Sequence, residues 1–358
     1  MEEITLDPTP SLPEYRKTAY KVGVFTAILF FLRVPAGLSI SALYALGSGS
    51  LSADALYLLH LSISFLFLQL LPALIGAGMF GFFREKGARL KALYRVPERC
   101  SRAIGNFPAV YGIGQLVNIL TIVVMYLVTA NSDLNASLNP VMSLTAPSLS
   151  SAWATFVFAA LIAPVFEEFA FRGVLLQTLK PYGNGLSILF SGILFGVYHG
   201  NLSQCFYATA IGIALGYLAN VTGSLVPTTV IHILVNSIAS GLLVLLSTPS
   251  IQLYLLSGEE GAIPDGDMLL IVFFAVFTIS ALLLGLTGMI HAFFKLPKIL
   301  RVPLPKIFTE LTNGKKLKMI LISVPMTIAF LLLLDLYIPP MLEDFPSMTE
   351  RLAELFFP

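Results

Sequence analysis

The chain has 358 residues, of which 56% are hydrophobic and only 11% charged, a balance outside the range of water-soluble domains. A net charge of +1 supplies no basic face, and neither an arginine-rich run nor a zinc-finger spacing occurs, which argues against nucleic acid as a partner. Two cysteines, Cys100 and Cys205, are too few and too scattered for a disulfide framework or a thiolate metal cluster.

The opening stretch, MEEITLDPTPSLPEYRKTAYK, carries acids and prolines and lacks the cationic-then-apolar order of a signal peptide. It reads as a retained polar tail over residues 1–21. Apolar stretches follow near 22–46, 55–82, 106–130, 152–178, 187–201, 203–221, 226–246, 268–294 and 319–338, to be compared with the roughly 20 residues that cross about 30 Å of hydrocarbon. Polar residues in HGNLSQ interrupt the region 187–221, and the first of its two segments is short for a full crossing, so one of these helices is expected to be broken. The expected fold is an all-α polytopic membrane bundle of about eight to nine transmembrane segments. It forms one membrane domain over 22–338, with a C-terminal tail at 339–358 and no linker or internal repeat.

Lysine and arginine favour cytoplasmic loops. The loop 83–105 holds Arg84, Lys86, Arg89, Lys91, Arg95, Arg99 and Arg102, and the loop 295–318 holds Lys295, Lys298, Arg301, Lys306, Lys315, Lys316 and Lys318. Both are expected inside, the more so as basic loops also touch anionic lipid. With nine spans the N-terminus, beside Arg16, Lys17 and Lys21, is then cytoplasmic. The loop 247–267, with Glu259, Glu260, Asp265 and Asp267, and the tail, with Glu343 and Asp344, lie outside. The expected setting is a bacterial cell membrane. Gly212 and Gly216 make a GxxxG spacing that lets a neighbouring helix approach closely.

Ionisable groups inside a membrane bundle need a partner, a wet cavity or a function. Apart from Arg33, those well inside the apolar runs fall in EEFAFR at 167–172, FGVYH at 195–199 and HILVN at 232–236. On an α-helix Glu168 and Arg172 stand four residues apart on one face, with the acid first, the favourable order for an ion pair. Glu167 is turned about 100° away and is the carboxylate left for water. Phe195 with His199, and His232 with Asn236, each lie one turn apart on one side of a helix. Taken singly, each group has a plain structural reading: a buried polar knot for the two acids and Arg172, a backbone hydrogen bond for either histidine. Three helices supplying acid–base and amide groups together point to a catalytic pocket.

Peptide-bond hydrolysis suits such a pocket. Glu167 can take a proton from water, His199 can hold that water, and His232 with Asn236 can donate hydrogen bonds to the oxyanion. In the nine-span topology Glu167 and His232 sit nearer the cytoplasmic side and His199 lies towards the far end of its short segment. The helix bearing His199 must tilt or start deeper for the three to meet.

The motifs EExxxR (Glu167, Glu168, Arg172), FxxxH (Phe195, His199) and HxxxN (His232, Asn236) stand in the order found in the CPBP family of intramembrane proteases, and the region from about 150 to 246 resembles that family's core. The resemblance implies a glutamate-dependent endopeptidase of the CAAX prenyl endopeptidase or bacteriocin-processing type. In it the first glutamate and first histidine activate water, the second histidine and the asparagine form the oxyanion hole, and no cofactor is required. Its substrate is a membrane-associated peptide or protein; nothing in the sequence selects among prenylated C-termini, leader peptides and transmembrane segments, or fixes an oligomeric state.

Three rival readings use the same residues. Glu167, His199 and His232 could be ligands of a catalytic zinc with one open position, although HExxH is absent. The polar groups could form the ion relay of a transporter, although no paired repeat is visible. A noncatalytic scaffold could bind membrane peptides in a protease-like pocket. Outside the motifs, Gln69, Gln115, Asn118 and Asn220 read as polar contacts between helices, Arg33 as a structural cation, and His60 and His291 as packing or interfacial residues. Cys205 lacks an assigned base.

Overall fold

The computed structural model describes residues 11–83, 88–129, 146–257, 268–300, 311–337, 351 and 353–354. Expectations that rest on Arg84, Lys86, Glu259, Glu260, Asp265, Asp267, Arg301, Lys306, Glu343 and Asp344, and on the tail before residue 11, lie outside them. Every described element is helical, as the apolar runs predict. In chain order they are α1 (Leu12–Gly47), α2 (Ala53–Met79), α3 (Ala88–Leu93), α4 (Cys100–Ile104), α5 (Phe107–Thr129), α6 (Leu149–Tyr182), α7 (Asn184–Tyr198), α8 (Leu202–Thr222), α9 (Val226–Leu246), α10 (Pro249–Ser257), α11 (Met268–Leu300), α12 (Asn313–Leu321) and α13 (Val324–Tyr337).

Seven of these helices are long and apolar enough to cross a membrane, and α12 with α13 make an eighth if counted together. The expected last span, 319–338, is therefore a helix pair bent by 70°. The first helix begins at Leu12, ahead of the expected boundary at 22, because Ser11 and Glu14 pair at its N-terminus: the Ser11 amide donates to the Glu14 carboxylate at 2.7 Å.

The short segment expected near 187–201 is α7. Its fifteen residues rise only about 22 Å at 1.5 Å per residue, less than about 30 Å of hydrocarbon. A helix that enters at one face thus ends inside the membrane. Gly200, with φ of +77°, then turns the chain back into α8 through a left-handed conformation that glycine adopts without strain. Because α7 and α8 form a hairpin, the chain returns to the side it left whatever the depth of the turn.

Small residues hold that hairpin together. A Cβ on Gly212 would lie 2.9 Å from the Gly192 carbonyl oxygen, so Gly212 of the GxxxG pattern serves close helix packing, whereas a Cβ on Gly216 would meet nothing nearer than 3.4 Å. A Cβ on Gly196 would fall on Thr209 Oγ1 and the Cys205 carbonyl. Gly196→Ala is accordingly expected to lower stability by about 1–3 kcal/mol through overpacking, measured as earlier thermal unfolding in detergent.

Around this hairpin the core gathers Val22, Phe25 and Leu29 of α1, Phe171 and Leu175 of α6, Phe195 and Tyr198 of α7, and Ile320 and Ala329 of α12 and α13. The apolar faces of α5 and α11, including Val123, Val124, Leu127, Val272, Phe273 and Val276, point outward, as they must where the surroundings are lipid. The charged groups that hydrocarbon would reject are turned inward, into the space between α2, α6, α7 and α9.

Candidate active site

Helix α6 is not a uniform α-helix. Wide π turns at Phe156–Ile162 and Phe169–Leu176 flank a six-residue α segment, Ala163–Glu168, and α2 holds a third at Leu66–Leu70. Such turns interrupt the regular carbonyl ladder and frequently occur at functional sites. In the first π turn of α6 the amide of Ala163 bonds back to Phe158, five residues earlier. The next amide in that pattern belongs to Pro164, which has no N–H to give Ala159. The carbonyl of Ala159 accepts instead from Asn236 Nδ2 on α9, at 2.9 Å. Helix α2 has a similar feature: Pro72, four residues beyond Leu68, offers no N–H, and the Leu68 carbonyl accepts from the Tyr198 hydroxyl at 2.5 Å. Two prolines thus leave main-chain acceptors that tie α9 to α6 and α7 to α2.

The two acids divide as the helical pitch predicts. Glu168 and Arg172 are both 0% exposed, with Arg172 Nη1 2.9 Å from Glu168 Oε1. Arg172 Nη2 donates to the Gly212 carbonyl at 3.1 Å, and the guanidinium lies over the Phe195 ring, 4.2 Å from its centroid. An unpaired charge here would cost several kcal/mol, so the guanidinium fork, which reaches an acid, a carbonyl and a ring at once, meets a need that a lysine would not. Glu167 is 9% exposed and faces a different set of groups. Its Oε1 accepts from Gln69 Nε2 at 2.8 Å, and its Oε2 is 3.5 Å from His232 Nε2.

His232, 3% exposed, bridges the two acids, because its Nδ1 is 3.1 Å from Glu168 Oε1. Glu168, ionised against Arg172, can only accept, so the Nδ1 hydrogen points to it. His199, at the end of α7, has Nδ1 2.8 Å from the Phe195 carbonyl. A carbonyl likewise only accepts; Nδ1 carries the hydrogen, and Nε2 is left to receive one. Phe195 stands between the imidazoles, edge to face with His199 at 4.9 Å and with His232 at 5.4 Å between centroids. The short α7 therefore brings His199 back to the depth of the acids, the convergence that the sequence required. Among the described residues, no group of three or more His, Cys, Asp and Glu side chains is arranged to hold a metal ion.

Six of the seven motif residues, Glu167, Glu168, Arg172, Phe195, His199 and His232, are thus linked by contacts in one cluster, while Asn236 commits one of its two amide hydrogens to Ala159. Gln69, which the sequence marked only as a contact between helices, touches Glu167 directly. Tyr198 has no polar signal in the sequence, since an aromatic residue in an apolar run reads as core. Arg33 Nη2 donates to the Tyr198 carbonyl and its guanidinium sits 4.9 Å from the Tyr198 ring centroid, so it supports the turn that carries His199. His60 lies apart, against Tyr44 and Tyr57, and His291 is exposed on α11.

Comparison with known proteins places a likeness on the segment that carries these motifs. Residues 149–238 match the family model described as type II CAAX prenyl endopeptidase Rce1-like, a segment that runs from the first turn of α6 to just beyond Asn236. No curated protein and no solved structure matches the chain. Residues 149–238 of this multi-pass membrane protein are accordingly similar to the type II CAAX prenyl endopeptidase Rce1-like family, a likeness consistent with the CPBP family of intramembrane proteases.

Proposed function

We propose that the chain hydrolyses a peptide bond of a membrane-associated peptide or protein with water activated by Glu167. The observation that carries the reading is the bridge made by His232 between Glu167 and Glu168, which draws the acids of α6 and the imidazole of α9 into one buried cluster beside His199. Glu167 accepts a proton from water while His199 Nε2 accepts the second water hydrogen, which orients the oxygen lone pair. That oxygen bonds to the scissile carbonyl carbon, and the carbonyl π electrons move to oxygen. His232, carrying hydrogens on both ring nitrogens, donates Nδ1–H to Glu168 and keeps Nε2–H for the oxyanion; the second amide hydrogen of Asn236 is the other donor. As the intermediate collapses, the C–N bond breaks, the proton held on Glu167 passes to the departing nitrogen, and a carboxylic acid and an amine result. Water activation and oxyanion contacts of this kind each contribute about 100- to 1,000-fold or more.

Within this proposal the membrane domain spans 22–338 with its catalytic core at about 150–246, the N-terminus is cytoplasmic, and the pocket opens toward the cytoplasmic half of a bacterial cell membrane. No metal takes part.

The test uses the full chain in proteoliposomes with two quenched-fluorescence probes, a farnesylated C-terminal CAAX peptide and an unmodified transmembrane peptide. Wild type is expected to cleave at least one of them. His199→Ala is expected to lower that cleavage by about 100-fold, and thorough chelation is expected to leave wild type active. Undiminished cleavage by His199→Ala overturns the role of that histidine. Loss on chelation with recovery on adding zinc replaces the mechanism with zinc hydrolysis, and ion flux abolished by Glu167→Gln without cleavage of either probe replaces it with transport.

A further inference from the structure

We propose that Gln69, on α2 and outside the matched segment 149–238, is a positioning residue that orients the Glu167 carboxylate for water activation. The inference rests on the hydrolytic reading above. Its ground is a ladder of polar contacts along two parallel helices. At one end, Ser148 and Ser151 of the α6 N-terminus both donate to Asp54 Oδ1 at 2.5 Å. Next, the hydroxyls of Tyr57 and Thr155 are 2.9 Å apart. Farther along, Gln69 Nε2 donates to Glu167 Oε1 at 2.8 Å. The last two rungs join residues separated by 98 positions in each case, so the helices advance in step.

The π turns explain how Gln69 comes to face Glu167. Twelve residues separate Tyr57 from Gln69 and Thr155 from Glu167. In an α-helix twelve residues turn through about 1,200°, some 120° beyond three full turns, and the second rung would point away from the first. A π turn absorbs about one extra residue without advancing the face. In α6 one lies between the two rungs, at Phe156–Ile162, and in α2 the π turn Leu66–Leu70 begins after the first rung and carries Gln69 itself. The paired widening returns both Gln69 and Glu167 to the shared face.

At that position Gln69 does what the residues of the matched segment do not. His232 approaches Glu167 Oε2 and leaves Oε1 without a support from α6 or α9. The amide N–H of Gln69 binds Oε1, sets the plane of the carboxylate, and turns Oε2 toward the imidazole and the water. The same π turn of α2 supplies the Leu68 carbonyl that holds Tyr198, the residue before His199. One short piece of α2 therefore braces both groups proposed to activate the water.

The experiment compares wild type, Gln69→Met and Gln69→Glu in proteoliposomes on whichever probe wild type cleaves and Glu167→Gln does not, with kcat counted per mole of monodisperse protein. Methionine keeps length and removes the donor; glutamate keeps shape and sets an acceptor against the carboxylate. The expected result is a fall in kcat of about tenfold for Gln69→Met and about a hundredfold for Gln69→Glu, with KM within about twofold of wild type in both, since the contact removed is to the Glu167 carboxylate and not to the peptide. A residue that merely joins helices would leave kcat near wild type in Gln69→Met and would not rank the two variants. A kcat within twofold of wild type for Gln69→Met overturns the positioning role while the hydrolytic reading stands. Equal cleavage by wild type and Glu167→Gln removes the hydrolytic reading itself, and the positioning role with it.

Discussion

Glu167→Gln is expected to lower peptide cleavage by about a thousandfold, a barrier increase of about 4 kcal/mol, while the protein stays folded. The substitution keeps the size of the side chain and an oxygen that can still accept from Gln69, so the contact at 2.8 Å has a replacement. It removes the carboxylate charge with which Glu167 takes a proton from water, and a positioned general base accounts for about 100- to 10,000-fold. Stability should be little changed, because Glu167 is the less deeply buried of the two acids and is not the partner of Arg172. Initial rates together with thermal unfolding in detergent separate the two effects. A variant that unfolds as wild type does and cleaves at more than a tenth of its rate is incompatible with Glu167 as the base.

Arg172→Met should do the reverse and damage the fold first. It leaves Glu168, 0% exposed, facing His232 without the guanidinium that now lies 2.9 Å away. Breaking a buried ion pair from one side costs about 3–5 kcal/mol, and the Gly212 carbonyl and the Phe195 ring lose a contact as well. Chemical or thermal denaturation in detergent should detect a loss of that size. The double variant Glu168→Gln, Arg172→Met is expected to be more stable than Arg172→Met alone, since it no longer buries an uncompensated carboxylate. If the single variant is the more stable of the two, the pair does not act as a charge-neutralising unit.

Much of the site was legible in the sequence because the cost of burying charge in hydrocarbon is so large that few residues escape notice. Glu167, Glu168, Arg172, His199, His232 and Asn236 stand out against apolar runs, and their helical spacing by itself pairs Glu168 with Arg172 and turns Glu167 away from it. Gln69 stood out by the same logic but carried no sign of its partner, which lies 98 residues away. Tyr198 could not be found this way, because its hydroxyl is hidden in an aromatic ring that suits a core equally well.

Helix positions were legible for the same reason, and helix shape was not. A hydropathy pattern records which residues avoid water, and an α turn and a π turn satisfy it alike. Widening at Phe156–Ile162 and Leu66–Leu70, and the break between α12 and α13, are settled by contacts with neighbouring helices. The sequence alone determined that the chain is a helical membrane bundle and which ionisable groups needed one another, since both follow from transfer out of water. Only the tertiary structure decided that α7 stops short and turns at Gly200, that two π turns keep α2 and α6 in step, and that His232 lies between both acids. Those outcomes depend on packing between segments far apart in the chain, where no local preference distinguishes one register from the next.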